Sequence, residues 1–582
     1  MDTSNAHGGT LINLYVEGEQ LAQEKQKAES NRSWDLNARQ MLDLELLLNG
    51  AFSPLTGYLS QADYTSVLES MRLSDGTLWP IPVNLDVTEA FAAETSIGEE
   101  ITLRDPEGVV IANLVITDLW TPDREQEAMH VFKTTDDTHP GVCTLLRDSN
   151  PVYLGGTLTG VTPPLHYDFA HYRRDPRALR AKFDELGWDK AIAFQTRNPI
   201  HKAHVIMMKR LMAKAQANVV IHTAVGKTKP GDIDHFCRVR CYEKILGYFP
   251  QDSAQISLLP LAMRMAGPRE ALWHAIIRQN YGFSHFIVGR DHAGPGRNNR
   301  GGLFYGPTEA QELVASLQSE LKITVLKAPF LRYVKERGEF CEEHELLSGE
   351  AGLYISGAEL KQMLLKGESV PSWFAYPEVI DELNRTLPPR SKQGFTLFFT
   401  GLSGSGKSTL ANGVMVKLRE IGGRPVSLLD GDVVRKNLSS ELSFSKEHRN
   451  LNILRIGYVA SEISKNGGAA ICAPIAPYAA TRKSVRSMID EVGAFVEIHV
   501  ATPIEVCESR DRKGLYAMAR AGKIKGFTGI DDPYEAPENP ELVIDTSQYS
   551  MTDAVNIVID KLKELGLLPA PKPKAAVIDY SI

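Results

Sequence analysis

Apolar residues in the first 168 positions come in short bursts, LWPIPVNLDV, ITLRDPEGVVIANLVITDLW and PVYLGGTL, each cut by Gly, Pro or Asp. Such bursts predict strands, so residues 1–168 are expected to form a mostly β section, a small barrel. From about 169 the texture changes. The runs KAIAF, NVVIHTAV, ISLLPL, HFIVG and ITVLKAPF alternate with helix-period stretches, which predicts a parallel α/β sheet over 169–330. A smaller section spans 331–390, where Ser356 and Glu359 in ISGAELKQMLLKG have capping-box spacing and predict a helix. The Pro-rich, charged RTLPPRSKQG at 385–394 predicts a linker. A second α/β unit is expected over 391–566, and the tail 567–582 is expected to be loose or packed on a neighbour.

Composition changes this picture little. A chain of 582 residues is too long for one core, which agrees with several domains. The 43% hydrophobic and 23% charged content is that of a soluble globular protein. A net charge of -8 argues against a broad nucleic-acid footprint and leaves room for a local pocket for a small anion. The N-terminal MDTSNAHGGTLINL has no basic region followed by an apolar core, and no apolar run is long enough for a bilayer. The expectation is a cytoplasmic chain with neither membrane nor nucleic-acid partners. The six cysteines show no disulfide framework. Cys237 with Cys241, and Cys341 with His344, are loose pairs, and no structural metal is expected.

Chemistry is densest in two places. In the first, the β-like FTLFFT runs into Gly401, Leu402, Ser403, Gly404, Ser405, Gly406, Lys407, Ser408 and Thr409, then a helical stretch: strand, GxxxxGK[ST] loop, helix. Backbone N–H groups in such a loop close around nucleotide phosphates. Lys407 should reach the β/γ oxygens, and Ser408 should hold the Mg²⁺ that arrives with ATP. The run RPVSLLD ends in Asp430 and Asp432, candidates to contact hydrated Mg²⁺ or to accept a proton from a substrate hydroxyl. Arg435, Arg449 and Asn452 follow, with Phe444 among them; cations beside a ring suit an anionic substrate that carries a ring, although each alone reads as a surface pair or a core ring.

These blocks, GLSGSGKST, LDGDVVR, FSKEHRNLNILRIG and KGLYAMARAGKIKGFTGIDDPYEAPENPELVIDT, together resemble adenylylsulfate (APS) kinases over nearly all of 394–566. The resemblance implies phosphoryl transfer from ATP to the 3′-hydroxyl of APS, giving PAPS. It implies that Asp432, Arg435, Phe444, Arg449, Asn452 and Ile475 surround APS, with Lys513, Lys525 and Phe527 on a segment that folds over it and Arg482 as a further anion contact. The chain departs from the pattern at one place. Many relatives read SFISPYR where this chain reads APIAPYA, so the serine sometimes assigned as a phosphorylated intermediate is replaced by Ala473. Direct transfer requires no such serine.

In the second place, KAIAF leads into Gln195, Thr196, Arg197, Asn198, Pro199, Ile200, His201, Lys202, Ala203 and His204, then a helical stretch. Two histidines three apart at a helix start suit phosphate oxygens; a lone HxxH also fits zinc or a surface pair, but no third zinc ligand is evident nearby. Farther on, MRMAGPREALWHAIIRQNYG predicts a helix opened by Pro268 and Glu270, and HFIVG ends in Gly289, Arg290, Asp291, His292, Ala293 and Gly294. Lys227 and Lys229 are added cationic candidates.

The blocks LNGAFSPLTGYL, DGTLWPIPVNLDV, AFQTRNPIHKAH, KTKPGDIDH, MRMAGPREALWHAIIRQNYGFSHFIVGRDHAGPG and YPEVIDEL resemble ATP sulfurylases over about 30–390, in the family's order. The resemblance implies a PUA-like β-barrel, an HxGH-type nucleotidyltransferase Rossmann-like domain whose Gly is here Ala203, and a small third domain, ahead of the P-loop kinase α/β domain. It implies attack of a sulfate oxygen on the α-phosphorus of MgATP, giving APS and pyrophosphate. On that basis Gln195, Arg197 and Ala293 bind sulfate, Thr196 and Asn198 complete the catalytic loop, His201 and His204 meet the phosphates, and Gly289, Arg290, Asp291 and His292 cradle the nucleotide. Together the two resemblances imply a bifunctional chain of PAPS-synthase type, with ATP, sulfate and APS as small-molecule substrates and homo-oligomers as in relatives. Two alternatives remain: a kinase-like domain serving as an allosteric PAPS sensor, as in some fungal sulfurylases, or a sulfurylase run mainly in reverse to make ATP.

Overall fold

The computed structural model describes residues 5–229 and 232–569, and of Asp432 the backbone only. By contact the chain divides into two compact units, Met1–Gly357 with Val370–Leu383, and Ala358–Ser369 with Asn384–Ile582. Among the described residues no helix is long and apolar enough to cross a membrane.

The first unit opens with a six-stranded sheet whose centre is the antiparallel pair Val110–Trp120 and Val152–Gly160. The sequence bursts locate these strands, but the expectation of a mostly β section needs correction. Helices Gly18–Ser30, Ala38–Leu48, Gln61–Ser70 and Arg124–Phe132 alternate with the strands. Gln61–Ser70 shows why they are quiet in the sequence: it buries only Tyr64, Val67 and Leu68, one stripe at helical spacing, and leaves polar residues between.

Next comes a five-stranded parallel sheet in the order Thr324–Lys327, His285–Val288, Ala191–Phe194, Asn218–Ala224, Ala254–Leu259. All five runs read from the sequence are strands; the inner ones are covered on both faces and so apolar nearly throughout, whereas Thr324–Lys327 at the edge is only half-buried. The chain leaves the first strand, Ala191–Phe194, in both directions across the sheet. That makes the gap between its end and that of His285–Val288 the switch point where α/β sheets bind ligands. Helix Gly267–Asn280 is buried on nearly every side, and its Trp273 ring lies 4.9 Å from Phe52 of the preceding section, so both sections share one core. A three-stranded antiparallel sheet, Leu331–Val334, Glu339–Glu342 and Gly352–Leu353, completes the unit's strands.

His139 ties this core to a pH dependence. It caps the short helix Pro140–Cys143, its Nδ1 accepting the N–H of Gly141 (3.1 Å) and of Val142 (3.4 Å), while Nε2 sits 3.1 Å from the Tyr305 hydroxyl. Nδ1 therefore has no room for a proton, and burial lowers the ring's pKa to about 4 from 6.5. The unfolded chain binds a proton here that the native state refuses. Stability is thus full above pH 6.5 and declines as pH falls towards 4, by about 3 kcal/mol for this residue. His139→Asn keeps an acceptor at the cap without the titration. Denaturant midpoints between pH 7.5 and 5 should fall less steeply in that variant, and an unchanged slope would show that His139 does not carry the effect.

The second unit holds another five-stranded parallel sheet, in the order Val426–Leu429, Ala469–Cys472, Phe395–Thr400, Ala494–Val500, Leu542–Ile544. Alternation along the central strand splits its two cores. Phe395, Leu397 and Phe399 join helices Lys407–Ile421 and Met551–Glu564, whereas Phe398 joins Ala470, Cys472 and helix Lys446–Lys465. The predicted helix of the 331–390 section is Gly357–Lys366. The predicted linker carries the end of helix Pro377–Thr386 and a turn at Arg390–Lys392, and Arg424 pins it by donating to the carbonyls of Ser391 and Gln393. Of the tail, Leu567 and Leu568 are buried, and residues 570–582 lie outside the described residues.

Candidate active sites

At the switch point of the first unit lies a cavity of about 290 Å³. Gln195, Thr196, Arg197, Asn198, His201, His204, Gly289, Arg290, Asp291, His292 and Ala293 all line it. The loop after Ala191–Phe194 is held from below: the Tyr242 hydroxyl donates to the carbonyls of Thr196 (3.3 Å) and Asn198 (3.2 Å), and Thr223 Oγ1 to that of Thr196 (2.9 Å). Arg197 projects across, bound to Asp232 at 2.9 Å and donating to the Gly294 carbonyl at 3.1 Å. The facing loop turns tightly at Asp291 and Ala293, both at positive φ, and a Cβ at Gly294 would come within 1.9 Å of Asp291 Oδ1, so a larger residue there would displace the Asp291 carboxyl.

His201 is the N-cap of helix Lys202–Ala215 and His204 lies in its first turn. Their rings stack at 3.8 Å, with Phe374 4.6 Å beyond His201. Burial keeps both neutral, His204 down to about 4 and His201 well below its ordinary value with the neighbouring ring adding to the effect. They are therefore hydrogen-bonding groups rather than cations. Positive charge comes from Arg197 and from the exposed Arg290, whose guanidinium stands 4.8 Å from the Phe330 ring. Burial raises the Asp291 carboxyl pKa, against the pull of Arg197 and Lys229. Lys227 and Lys229 do not line this cavity: Lys229 donates to the Pro295 carbonyl (2.6 Å), and Lys227 lines a separate cavity of about 220 Å³. Pro230 and Gly231, between Lys229 and Asp232, lie outside the described residues.

In the second unit the loop Gly401–Gly406 links strand Phe395–Thr400 to helix Lys407–Ile421. Gly404 and Gly406 have φ of 75° and 98°, and a Cβ on them would meet Cys507 O at 2.8 Å and Thr546 Oγ1 at 2.9 Å. Lys407 Nζ donates to the carbonyls of Gly401 (2.9 Å) and Leu402 (2.6 Å), and burial lowers its pKa to about 8. Ser408 and Thr409 are exposed at the helix start. Asp430 lies between strand Val426–Leu429 and helix Gly431–Leu438; the side chain of Asp432, in that helix, lies outside the described residues.

Arg435 lies 4.4 Å from the ring of Phe444, which is 74% exposed and so free to cover a ligand. Arg449 donates to Asp532 (3.0 Å), Thr528 (3.0 Å) and Tyr478 (2.9 Å). Asn452 is buried with its Oδ1 unpartnered, and the Ile475 carbonyl accepts from Thr400 Oγ1 at 2.6 Å. Lys513 and Lys525 are exposed, while Phe527 packs edge-on to Tyr516 at 5.0 Å. The expectation for Arg482 needs correction. It is buried, and its three nitrogens donate to Glu497 (2.8 Å), Ala476 O (2.8 Å) and Glu535 O (2.7 Å), so it braces loops instead of meeting an anion. Ala473 is buried, as is Ala476, the position of the second serine in SFISPYR.

Family models for a PUA-like domain, ATP-sulfurylase and adenylylsulphate kinase match residues 4–163, 170–386 and 393–545. The chain is 48% identical to sulfate adenylyltransferases of Phaeosphaeria nodorum and Chaetomium globosum, each alignment covering 97% of this chain and 99% of the relative. The chain belongs to the ATP sulfurylase family. It is bifunctional in build, with an N-terminal sulfurylase and a C-terminal APS kinase. A solved structure described as a hexameric APS kinase from Thiobacillus denitrificans superposes with a TM-score of 0.80 at 38% identity, over 97% of this chain and 99% of that one.

Several contacts that support the two sites form only once distant segments of the chain have packed together. Behind the sulfurylase cavity, His292 Nε2 meets His274 Nδ1 at 3.0 Å, and His274 Nε2 lies 3.3 Å from Glu270. Arg278, on the same helix, donates to Gln195. The spacing of Glu270, His274 and Arg278, four apart along one helix face, is the one signal that could have found them. In the kinase, Tyr516 donates to the Ser403 carbonyl (2.9 Å) and Thr546 to that of Ser405 (2.7 Å), fastening the phosphate loop from distant segments. Among the described residues no group of three or more His, Cys, Asp or Glu side chains is placed to hold a metal ion, and the Ser408 hydroxyl is exposed at the start of helix Lys407–Ile421.

Proposed function

We propose that the chain activates sulfate in two steps, ATP and sulfate giving APS and pyrophosphate, then ATP and APS giving PAPS and ADP. What carries the reading is the single cavity in which Gln195, Arg197 and Ala293 face Arg290 and the two histidines, in a chain that also holds an intact phosphate loop. Sulfate is already a dianion and needs no general base. The obstacle is repulsion from MgATP, which Arg197, Arg290 and the N-terminus of helix Lys202–Ala215 oppose, while neutral His201 and His204 donate to phosphate oxygens as charge moves to the leaving pyrophosphate. Thr196 and Asn198 shape the loop, and Gly289, Arg290, Asp291 and His292 hold the nucleotide.

In the second step the residues Gly401–Thr409 bind the ATP phosphates, and Mg²⁺ delivered with ATP meets Ser408. Asp430 and Asp432 serve the metal and the acceptor hydroxyl. Asp432, Arg435, Phe444, Arg449, Asn452, Ile475, Lys513, Lys525 and Phe527 enclose APS. The kinase removes a high-energy product, and covalent linkage raises its effective concentration beside the sulfurylase. The hexameric state named for the Thiobacillus protein supports self-assembly of this chain as well.

The test is incubation of the full chain with MgATP, labelled sulfate and pyrophosphatase, separating APS from PAPS over time. PAPS is expected as the final product. The curated relatives are named for the first step alone, and APS accumulating by itself would favour a kinase domain kept for binding. Because transfer passes directly to the bound hydroxyl, Ala473→Ser is expected to change the APS phosphorylation rate by less than about threefold. A large gain would mean that the serine matters.

A further inference from the structure

Arg278 lies near the end of the buried helix Gly267–Asn280, wholly shielded from solvent. One of its guanidinium N–H groups donates to Gln195 Oε1, and the same nitrogen lies 3.1 Å from the His222 carbonyl. The side chain also stands 5.3 Å from the Phe286 ring. A guanidinium has only donors, so the Gln195 atom that meets it is the amide oxygen. The planar amide must then aim its NH₂ group the other way, where its partner is Met263 Sδ at 3.7 Å, a weak acceptor in the wall of the cavity. An anion beside Gln195 meets its N–H groups and not its lone pairs.

Charge points the same way. Among the described residues Arg278 makes no ion pair, and its Nε has no hydrogen-bond partner. His222 and His274 beside it are held neutral by burial, and the Glu270 carboxyl, which favours the charged guanidinium, stands two turns away along the helix without forming an ion pair with it. Burial lowers the guanidinium to about 9, which still leaves it charged at neutral pH. A buried charge without a partner is strongly unfavourable, so one that is retained calls for an opposite charge from outside the protein.

We propose that Arg278 is a positioning residue for the sulfate pocket, clamping the Gln195 oxygen so that the amide N–H groups face the anion and setting an unneutralised positive charge behind them. The inference rests on the assignment of Gln195 to sulfate and adds a reason for it. Four full-length chains decide it by initial rates at varied sulfate and varied MgATP: Gln195→Ala, Arg278→Lys, Arg278→Met and the Gln195→Ala/Arg278→Lys double variant. Lysine keeps the charge and fold but not the planar fork, and it is expected to raise the sulfate KM about tenfold with little change in the MgATP KM. Methionine should raise it further. On top of Gln195→Ala, the lysine change should add less than about twofold, because the two act as one unit. Additive effects, or equal rises in both KM values, would overturn the clamp and make Arg278 a structural residue. A raised sulfate KM in Gln195→Ala with none in Arg278→Lys overturns the clamp alone. No change in either overturns the placement of Gln195 as well.

Discussion

The Arg197→Ala chain is expected to form APS about 10²–10³-fold more slowly in kcat/KM for sulfate, while phosphorylating supplied APS at an unchanged rate. The size follows from what the guanidinium does. It offers a planar fork at the mouth of a cavity where two anions must meet, and it is held in place by Asp232 (2.9 Å) and the Gly294 carbonyl (3.1 Å). Removing it also deprives the Asp232 carboxylate, next to the cavity, of its ion-pair partner, which adds repulsion to lost attraction. That second effect can be separated. Arg197→Ala/Asp232→Asn should recover part of the sulfate KM, since the stranded charge is gone, but not kcat. Arg197→Lys should fall between, with charge kept and fork lost. The kinase rate on supplied APS is the control that sorts chemistry from folding. If both activities fell together, Arg197 would belong to the architecture, and if the sulfate KM were untouched it would not bind sulfate.

The parallel sheets of both units are visible in the sequence because their inner strands are buried on two faces. KAIAF, HFIVG and FTLFFT leave little room for another reading. The phosphate loop is legible for a related reason: its glycines, lysine and serine act within one local turn. The helices of the first section are less legible, since each buries a single stripe. Hardest to read are residues whose role is made by distant packing. Asp232 has meaning only once Arg197 turns towards it. Glu270, His274 and Arg278 look like the wet face of an amphipathic helix until the fold covers that face too. Arg482 errs in the opposite direction. A lone arginine beside an anion site invites a ligand, but the buried Glu497 in strand Ala494–Val500 claims it.

Lys407→Ala is expected to stop the second reaction and expose the first: APS should accumulate from labelled sulfate, with PAPS formation down about 10²–10³-fold. The lysine begins the helix that follows the phosphate loop and is already aimed by the carbonyls of Gly401 and Leu402, so it needs little rearrangement to meet a phosphate. Burial lowers its pKa to about 8, within reach of mild alkali. Phosphate prefers the protonated amine, so nucleotide affinity at the kinase site should weaken as pH rises through about 8 in the unaltered chain and vary little there in Lys407→Met. Fluorescent-nucleotide titrations from pH 6.5 to 9.5 on both chains would show it, the Lys407→Met chain reporting the pH dependence that nucleotide bound at the sulfurylase cavity contributes to each. Sulfurylase rates in Lys407→Ala should match the unaltered chain when pyrophosphatase is supplied, because product removal then no longer depends on the kinase. An equal loss of APS formation under those conditions would mean that the two reactions are coupled through more than their shared intermediate.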